Sequence, residues 1–136
     1  MEESIHKNQM ESGFIIKNLL LVESNFRRIP NVTFNNNEIK HNNNIEISVG
    51  VADNNIIVTE KLDFTQTFKD IEEVNCSITM IGVFEKVGES KLEDLEKFGK
   101  INGAAIIFPY IREHLTSLSV KAGLNPIILP PASFVH

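Results

Sequence analysis

The stretch that decides the fold is IIFPYIREHL, residues 106–115, which is followed by GLNPIILPPASF, residues 123–134. Apolar residues at positions 111, 115, 118 and 122 recur at helical spacing and predict a buried helix face. Pro109 is predicted either as the first residue of a helical segment or as a kink in one long helix. Gly123 is expected to end the helix, because glycine adopts positive φ without strain. The proline-bracketed run 127–129 then predicts an extended segment that is neither helix nor central strand.

The residues before this helix carry the pattern of β-strands. Residues 14–23 are almost continuously apolar, which predicts a strand with little water on either face. Residues 45–52 alternate between apolar and polar side chains, and residues 56–68 and 74–86 predict two further strands. Strands that come first and helices that come second place the chain in the α+β class.

The connections between these strands are short and polar. Asp53-Asn54-Asn55 predicts a turn, since Asn and Asp tolerate left-handed conformations, and residues 69–73 form a charged connection. Parallel crossovers need a dozen or more residues, so at least the last three strands are predicted to form an antiparallel meander. The asparagine-rich segment 35–44 predicts a surface loop.

Helical signals begin at residue 90. Residues 90–93, Ser-Lys-Leu-Glu, fit a capping box, in which the hydroxyl and the carboxylate bind unpaired main-chain N–H groups. Gly99 and Gly103 weaken the helix that follows, and Ala104-Ala105 indicates close packing at this point.

Length and composition predict a single domain over residues 13–136, preceded by a polar N-terminal extension over residues 1–12. The 42% of hydrophobic residues is ordinary for a globular protein, and no apolar run reaches the roughly 20 residues of a membrane-spanning helix. An acidic N-terminus without a signal-peptide pattern and a lone cysteine predict a cytoplasmic location. A net charge of −5 without a basic stripe argues against nucleic acid as a partner.

Few residues indicate chemistry. The histidines at 6, 41, 114 and 136 have no metal-binding spacing, so neither a metal ion nor another cofactor is predicted. His114 and Glu113 would point about 100° apart on a helix, so they do not make a catalytic pair. Cys76 is expected to be a small buried hydrophobe on a strand and not a nucleophile. Arg112 and Glu113 are expected to form an ion pair that holds the helix against the sheet or a neighbouring chain; alternatively, Arg112 binds a ligand carboxylate or a partner subunit.

The predicted elements, in contrast, leave some apolar surface uncovered. One pair of helices covers only one face of a four-stranded sheet, and the run 127–129 cannot fold onto itself. Another subunit, a bound molecule or the chain's own domain must cover this material. The first two alternatives correspond to a homo-oligomer and to a binding protein, and the third to a segment packed on its own domain; all three stay open at this point.

The residues quoted first also resemble a known family, the SecB-type export chaperones. The resemblance runs in order from a strand that opens on Phe14, through Gly82-Val83-Phe84, to the C-terminal region, where it is densest. The residues that carry the family signature there are Phe108, Pro109, Tyr110, Arg112, Glu113, Gly123 and Phe134.

The resemblance implies a four-stranded antiparallel sheet, a long, proline-interrupted helix packed on one face and a proline-rich extended C-terminal segment. It implies assembly as a dimer or as a tetramer built from two dimers. The implied function is that of an ATP-independent holdase, which binds unfolded or partly folded client proteins and hands them to the SecA motor for export. The implied client groove draws on Phe64, Phe68, Met80, Phe84, Leu124, Pro126, Ile127, Ile128, Leu129 and Pro130.

The chain departs from the family pattern at two places. Family members usually continue into a second amphipathic helix and a polar tail that docks SecA, whereas this sequence stops at His136. Of the acidic docking face only Glu23 remains, and Arg27 and Ser77 stand where acids are expected. Shortened SecB-like chaperones that protect one client, such as an antitoxin, resemble this chain equally well.

Two other classes of protein stay open. A scaffold or adaptor would keep the fold and bind one folded partner. A hot-dog thioesterase-like enzyme also wraps a sheet around a long helix, and Glu113 is the one acid at the helix start that could serve it.

Overall fold

Four strands form one antiparallel sheet in the computed structural model, which describes residues 13–88 and 91–134. The sheet has the order β1-β4-β3-β2, so β1 and β2 are its edges. This arrangement confirms the predicted antiparallel meander of the last three strands. The strands are β1 (Phe14–Arg28), β2 (Lys40–Ala52), β3 (Asn55–Phe68) and β4 (Ile71–Lys86).

Two-residue turns join β2 to β3 and β3 to β4. The first turn lies where the sequence predicts it, but it is only Asp53-Asn54, since Asn55 already belongs to β3; Asp53 has a positive φ of 56°. The second turn is only Lys69-Asp70, so the predicted connection of residues 69–73 is too long. Ile71 already pairs with Phe68 across this turn, because the main-chain ladder extends beyond the apolar pattern.

The turn at Lys69-Asp70 leads to a prediction about stability. Both residues have positive φ, 49° and 65°, in a conformation that favours Asn-Gly in tight hairpins. Replacing the pair with Asn-Gly is expected to raise the free energy of unfolding by about 0.5–1 kcal/mol. Urea denaturation measures the change, and a lower stability than that of the parent would contradict it.

The two edge strands are longer than predicted. β1 continues to Arg28, and β2 begins at Lys40, so part of the predicted asparagine-rich loop is strand. Asn42 and Asn44 pair with Thr65 and Asp63 of β3 on the side of the sheet that no helix covers. Main-chain pairing to a central strand therefore outweighs the weak strand propensity of asparagine. The true β1–β2 connection is residues 29–39.

The helical region has three parts. These are α1 (Leu92–Phe98), a π-helical segment (Gly99–Gly103) and α2 (Ala104–Lys121). Ser90 of the predicted capping box lies outside the described residues. Pro109 lies inside α2, so the prediction that it is the first residue of a helical segment is wrong.

Gly99 and Gly103 bring the helical region close to the sheet. A Cβ atom on Gly99 would lie 2.7 Å from Cγ1 of Val49, and one on Gly103 would lie 2.9 Å from Cγ2 of Val58. The close packing predicted from Ala104-Ala105 is confirmed for Ala104, which is fully buried, whereas Ala105 is exposed; the two glycines pack closely as well. Its physical reason is that a side chain at either position would push the helix off the strands.

The core lies between α2 and one face of the sheet, which we call the helix face; the opposite side is the open face. Cys76 is buried there, as predicted, and its burial, followed by the charge of Asp63, raises the pKa of the thiol to about 11. The largest fully buried apolar side chains are Phe64, Phe84, Ile56, Leu62, Ile78, Ile107, Ile111 and Leu115.

Gly123 ends α2 as predicted, with a positive φ of 79°. Its N–H donates to the carbonyl of Val120, and the N–H of Leu124 donates to the carbonyl of Ser119, both at 3.0 Å. This is the Schellman pattern of a helix C-terminus. It turns the chain back, so that residues 124–134 follow as an extended segment, which we call the tail.

The tail packs against its own domain. Leu124, Ile127 and Leu129 are buried, whereas Ile128 is 71% exposed. Thr116 Oγ1 donates to the carbonyl of Ile127 at 2.6 Å. The expectation that the chain's own domain covers the apolar run holds for two of its three residues. Among the described residues, no helix combines the length and apolar character needed to cross a membrane.

Candidate functional site

The β1–β2 connection folds over one end of the helix face and is fastened there by Glu73. The main-chain N–H of Thr33 donates to this carboxylate at 3.1 Å, and the Thr33 hydroxyl donates at 2.7 Å. Burial acts to raise the pKa of Glu73, but the hydrogen bonds from Thr33 and Gln66 outweigh it and hold the pKa below its ordinary value. The carboxylate is thus a charged anchor for the connection.

A second polar side chain extends this anchor toward the surface. Gln66 Nε2 donates to Glu73 at 3.3 Å, so its Oε1 is left to accept from Nε2 of His41 at 2.8 Å. His41 also lies edge-on to the ring of Phe64, with the centroids 5.1 Å apart. The network fixes the walls of a cleft beside it.

That cleft, which we call the loop cleft, opens between the β1–β2 connection and the start of the tail. Its volume is about 290 Å³. Apolar side chains alternate in its lining with amides and the His41 ring, which suits a main chain with apolar side groups. The lining residues are Val32, Thr33, Phe34, Asn35, Asn36, Ile39, His41, Gln66, Leu124, Asn125, Pro126 and Ile127.

Arg28 holds the two walls of the loop cleft together. Its guanidinium donates to the carbonyls of Ile29 at 3.0 Å, Pro30 at 2.7 Å and Ala122 at 2.6 Å, which links the connection to the end of α2. Three charge-assisted bonds to one side chain make it the main clamp at this end.

Removing the clamp is expected to destabilise the protein. Arg28→Ala should lower the free energy of unfolding by about 2 kcal/mol, because three main-chain acceptors lose a charged donor. Arg27→Ala is the matched control, since Arg27 is the exposed neighbour on the same strand, and about 0.5 kcal/mol or less is expected there. Urea midpoints measure both; equal losses would contradict the assignment.

A second cleft lies at the other end of the tail, and we call it the tail cleft. Its volume is about 380 Å³. Phe134 packs against Phe108 of α2 at 5.8 Å between ring centroids and forms one wall. The lining residues are Asn43, Asn44, Ile45, Ile47, Lys100, Ala132, Ser133 and Phe134.

The structure separates the predicted groove residues into three groups. Phe64 and Phe84 are 1% exposed and Met80 is 8% exposed, so these strand residues are core and offer no surface in this conformation. Phe68 is half-buried at the end of β3. The tail residues fall into those that line the loop cleft, which are Leu124, Pro126 and Ile127, and those outside it, which are buried Leu129 and exposed Ile128 and Pro130.

The β1–β2 connection contributes to the site, which was not predicted from the sequence. Val32, Phe34 and Ile39 line the loop cleft. Ile39 lies within residues 35–44, which were predicted as a surface loop, and no prediction covered Val32 or Phe34. Phe34 is 46% exposed. The signal that could have found it is a large aromatic residue in a polar loop, which is costly unless something covers it.

The signature residues of α2 have different positions. Phe108 is core, and Tyr110 is 52% exposed. Arg112 and Glu113 line an open surface cleft on α2, and neither forms an ion pair in the described residues, where Lys17–Glu85 is the one pair within 4.0 Å. The prediction of an ion pair within the chain at Arg112 and Glu113 is therefore wrong. An ion pair with a neighbouring chain stays a prediction.

No catalytic constellation forms around His114. Its Nε2 lies 2.8 Å from the Ser24 hydroxyl and links α2 to β1. Glu113 lines the cleft on α2 instead. Within residues 13–88 and 91–134, no group of three histidine, cysteine, aspartate or glutamate side chains is placed to hold a metal ion.

β1 leaves an apolar surface exposed. The prediction that both of its faces are dry is wrong for the single chain, because β1 is an edge strand and several of its large apolar side chains are exposed. The large hydrophobic residues there, 44–53% exposed, are Ile15, Ile16, Leu20, Leu21 and Val22. These five residues are called the β1 patch below.

One buried acid lines neither cleft. Glu60 of β3 is 0% exposed, and neither of its carboxylate oxygens has a hydrogen-bond partner. Burial raises the pKa of this carboxyl to about 8. The sequence analysis did not single it out.

Comparison with known proteins shows the family of this chain. The family model described as "Preprotein translocase subunit SecB" matches residues 8–136. The chain therefore belongs to the SecB family of chaperones.

Two individual proteins are similar to this chain. The uncharacterized protein MJ0357 of Methanocaldococcus jannaschii is 33% identical over 94 residues, which cover 69% of this chain and 56% of that protein. The SecB-like chaperone Rv1957 of Mycobacterium tuberculosis, solved in complex with a ChAD peptide from the Rv1956 HigA1 antitoxin, has a TM-score of 0.77 at 14% identity. That match covers 97% of this chain and 100% of that chain, so the expected SecB-like fold is confirmed.

Proposed function

We propose that this protein is an ATP-independent holdase that binds extended apolar segments of non-native proteins along the side of the sheet that carries α2. The observation that carries the proposal is the tail itself. An extended apolar segment lies on this side, with Ile127 and Leu129 buried and the main chain of Ile127 bound by the hydroxyls of Ser119 and Thr116. A client segment of the same character can use the same kind of contact.

The two clefts extend this surface beyond the tail. The loop cleft offers amide groups and the exposed Phe34 ring, and the tail cleft offers Ile45 and Ile47 of β2. Apolar burial stabilises such a complex by about 25 cal/mol/Å², less the cost of ordering the client. Binding of this kind is broad and reversible, and it requires neither ATP nor a catalytic residue.

A dedicated client is the second candidate, and a finding favours it. The structurally similar Rv1957 chaperone was solved with a peptide from an antitoxin. This chain has the same fold over nearly its whole length, so a single client with an apolar segment, such as an antitoxin, fits the clefts as well as a range of unfolded proteins does.

The β1 patch supports a homo-oligomer. β1 is an edge strand of the sheet, and five of its exposed residues are large and aliphatic. A second copy that pairs here would cover both features in a symmetric contact. We propose a dimer through β1, with a tetramer as the further alternative.

Delivery to SecA has weaker support. The open face mixes Glu23 and Asp63 with Arg27 and Lys61, and the acids there accept hydrogen bonds from Thr79 and Ser77. A face of mixed charge gives little attraction for a basic docking surface. A cytoplasmic holdase that does not depend on SecA therefore fits these residues better than an export factor does.

Direct binding tests the proposal. A fluorescently labelled unfolded polypeptide, followed by anisotropy, is expected to bind without ATP. Phe34→Asp should weaken binding about tenfold, because a charge replaces an apolar contact in the loop cleft. Leu92→Asp is the control with no expected effect, since this exposed residue of α1 lines neither cleft. No binding by the folded parent, or equal binding by both variants, would contradict the proposal.

A further inference from the structure

Glu60 lies in the middle of the helix face without a partner. It is paired across the sheet with Ile47 of β2 and with Met80 of β4. Its exposure is 0%, and both carboxylate oxygens lack a hydrogen bond. A buried polar group in this state costs free energy, and an ionised one costs far more.

The course of α2 explains which element covers Glu60 toward β2. Gly103 lies over Val58 of β3, Ile107 lies over Gly82 of β4, and His114 reaches Ser24 of β1. The helix therefore moves away from β2 as it proceeds. The tail borders the space that remains, since Leu129 is buried and Phe134 lines the tail cleft together with Ile47, the β2 neighbour of Glu60.

The second half of the tail is held almost entirely by apolar packing. The N–H of Ile127 donates to Ser119 Oγ at 2.9 Å, and its carbonyl accepts from Thr116. From Ile128 to Phe134, no hydrogen bond joins the tail to any other part of the chain that the structure describes. A segment held this way can leave the sheet without breaking a hydrogen-bonded ladder.

Within residues 13–88 and 91–134, no charged side chain pairs with Glu60 to compensate an ionised carboxylate. Only Lys100, at the rim of the tail cleft beyond Ile47, is charged among the residues that line that cleft. The uncharged residues that face this region are Ile45, Ile47 and Val49 of β2, Ile78, Met80 and Gly82 of β4, Ile107, Phe108 and Ile111 of α2, and Leu129 and Phe134 of the tail.

We propose that Glu60 is a proton-dependent latch, which keeps the tail seated on the sheet while its carboxyl is protonated and releases the tail when the carboxyl ionises. Release lets water reach the carboxylate, which removes the cost of burial, and it uncovers the β2 and β3 part of the helix face. Burial raises the pKa of Glu60 from 4.5 to about 8, so the seated tail loses stability as the pH rises through this window, and no further loss follows above about pH 8. The inference rests on the proposed chaperone function only in that the uncovered surface would bind clients.

A tryptophan at the end of the tail tests the latch without a client. The chain contains no tryptophan, so Phe134→Trp places a single reporter against Phe108 and the tail cleft. Between pH 5 and 9, we expect the emission of this variant to shift to the red with a midpoint below pH 8 and to stay constant above that value, while the far-UV circular dichroism does not change. Adding Glu60→Gln, which cannot ionise, should abolish the shift.

Three results would overturn the latch. They are the absence of a shift, an equal shift with and without Glu60→Gln, and a loss of circular dichroism with the same midpoint. Adding Glu46→Gln, on the exposed side of β2, is the matched control and should leave the shift unchanged. If Glu60→Gln does not fold, Glu60→Leu takes its place, because it also cannot ionise.

Measuring client binding at two pH values tests the latch and the proposed chaperone function separately. The parent should bind a labelled unfolded polypeptide about tenfold more tightly at pH 8.5 than at pH 6.5, because the competent state becomes populated. The Glu60→Gln variant should bind this polypeptide with equal affinity at both pH values. A red shift together with no client binding at any pH would support the latch and reject the chaperone function. Client binding that is independent of pH in the parent would count against the latch alone.

Discussion

Glu60→Leu is expected to raise the free energy of unfolding by about 3 kcal/mol at pH 7. The reason is the isolated position of this acid, which is fully buried and makes no hydrogen bond through either oxygen. Its pKa is raised from 4.5 to about 8 by burial. Folding at pH 7 must therefore take up a proton that the unfolded chain has lost, and leucine removes this requirement.

The pH dependence gives this prediction a second readout. A carboxyl with a raised folded-state pKa contributes its full stability below pH 4.5 and loses it as the pH rises to about 8. The parent should thus lose about 1.4 kcal/mol per pH unit within this window from Glu60, and the variant should lack that slope. Urea denaturation at pH 5, 6, 7 and 8 measures both quantities.

The control for this experiment is Glu46→Leu. Glu46 lies on the open face of β2, opposite Lys61, and is exposed. The same chemical exchange there should change stability by no more than about 0.5 kcal/mol. A Glu60→Leu variant that is less stable than the parent, or that keeps the slope of the parent, would reject the description of Glu60 as a buried neutral acid.

Leu20→Lys is expected to dissociate the oligomer that we propose. Leu20 is 44% exposed on β1, pairs with Ile81 of β4 and lies within the β1 patch. A dimer that buries this patch would have to bury two added charges, which is costly without partners. The dissociation constant should rise at least about 100-fold, with the fold unchanged. Analytical ultracentrifugation and far-UV circular dichroism measure these effects.

Asn25→Lys is the matched control on the same strand. Asn25 is exposed in the polar second half of β1, where it pairs with Ser77. The same charge should leave the assembly nearly unchanged at this position. A parent that sediments as a monomer at about 100 µM, or a Leu20→Lys variant that stays associated, would contradict the interface.

The C-terminal part of the fold was predictable because its signals are local. Gly123 ends α2 with positive φ, and the prolines at 126 and 130 keep the segment between them extended. β1 followed from its nearly continuous apolar run, and the other three strands followed from their strand-like patterns. The start of β2 was not predictable, since main-chain pairing with Thr65 and Thr67 recruits asparagine and lysine residues that lack strand propensity.

The candidate site was less predictable than the fold. The implied groove included Phe64, Met80 and Phe84, but α2 covers the face on which they lie, and alternation alone cannot show which face a helix covers. Phe34 enters the loop cleft through the hydrogen bonds of Thr33 to Glu73, a contact between residues 40 positions apart. Long-range anchors of this kind leave no periodic signal in a sequence.

Glu60 did leave a signal. It has the same parity along β3 as Ile56, Val58 and Leu62, so the alternating pattern already assigns it to the buried face. A charged residue at a core position is uncommon and marks either a cost in stability or a function. The stability measurements on Glu60 test whether its burial lowers the stability of the protein. The fluorescence measurements test whether it also acts as a latch.

The central claim is that the protein holds non-native chains without ATP, and light scattering tests it most directly. An unrelated denatured protein is diluted into buffer with and without an equimolar amount of this protein, in the absence of ATP. We expect scattering to be suppressed, and added ATP to make no difference. Undiminished scattering in the presence of the protein, shown to be folded by circular dichroism, would contradict the claim of general holdase activity.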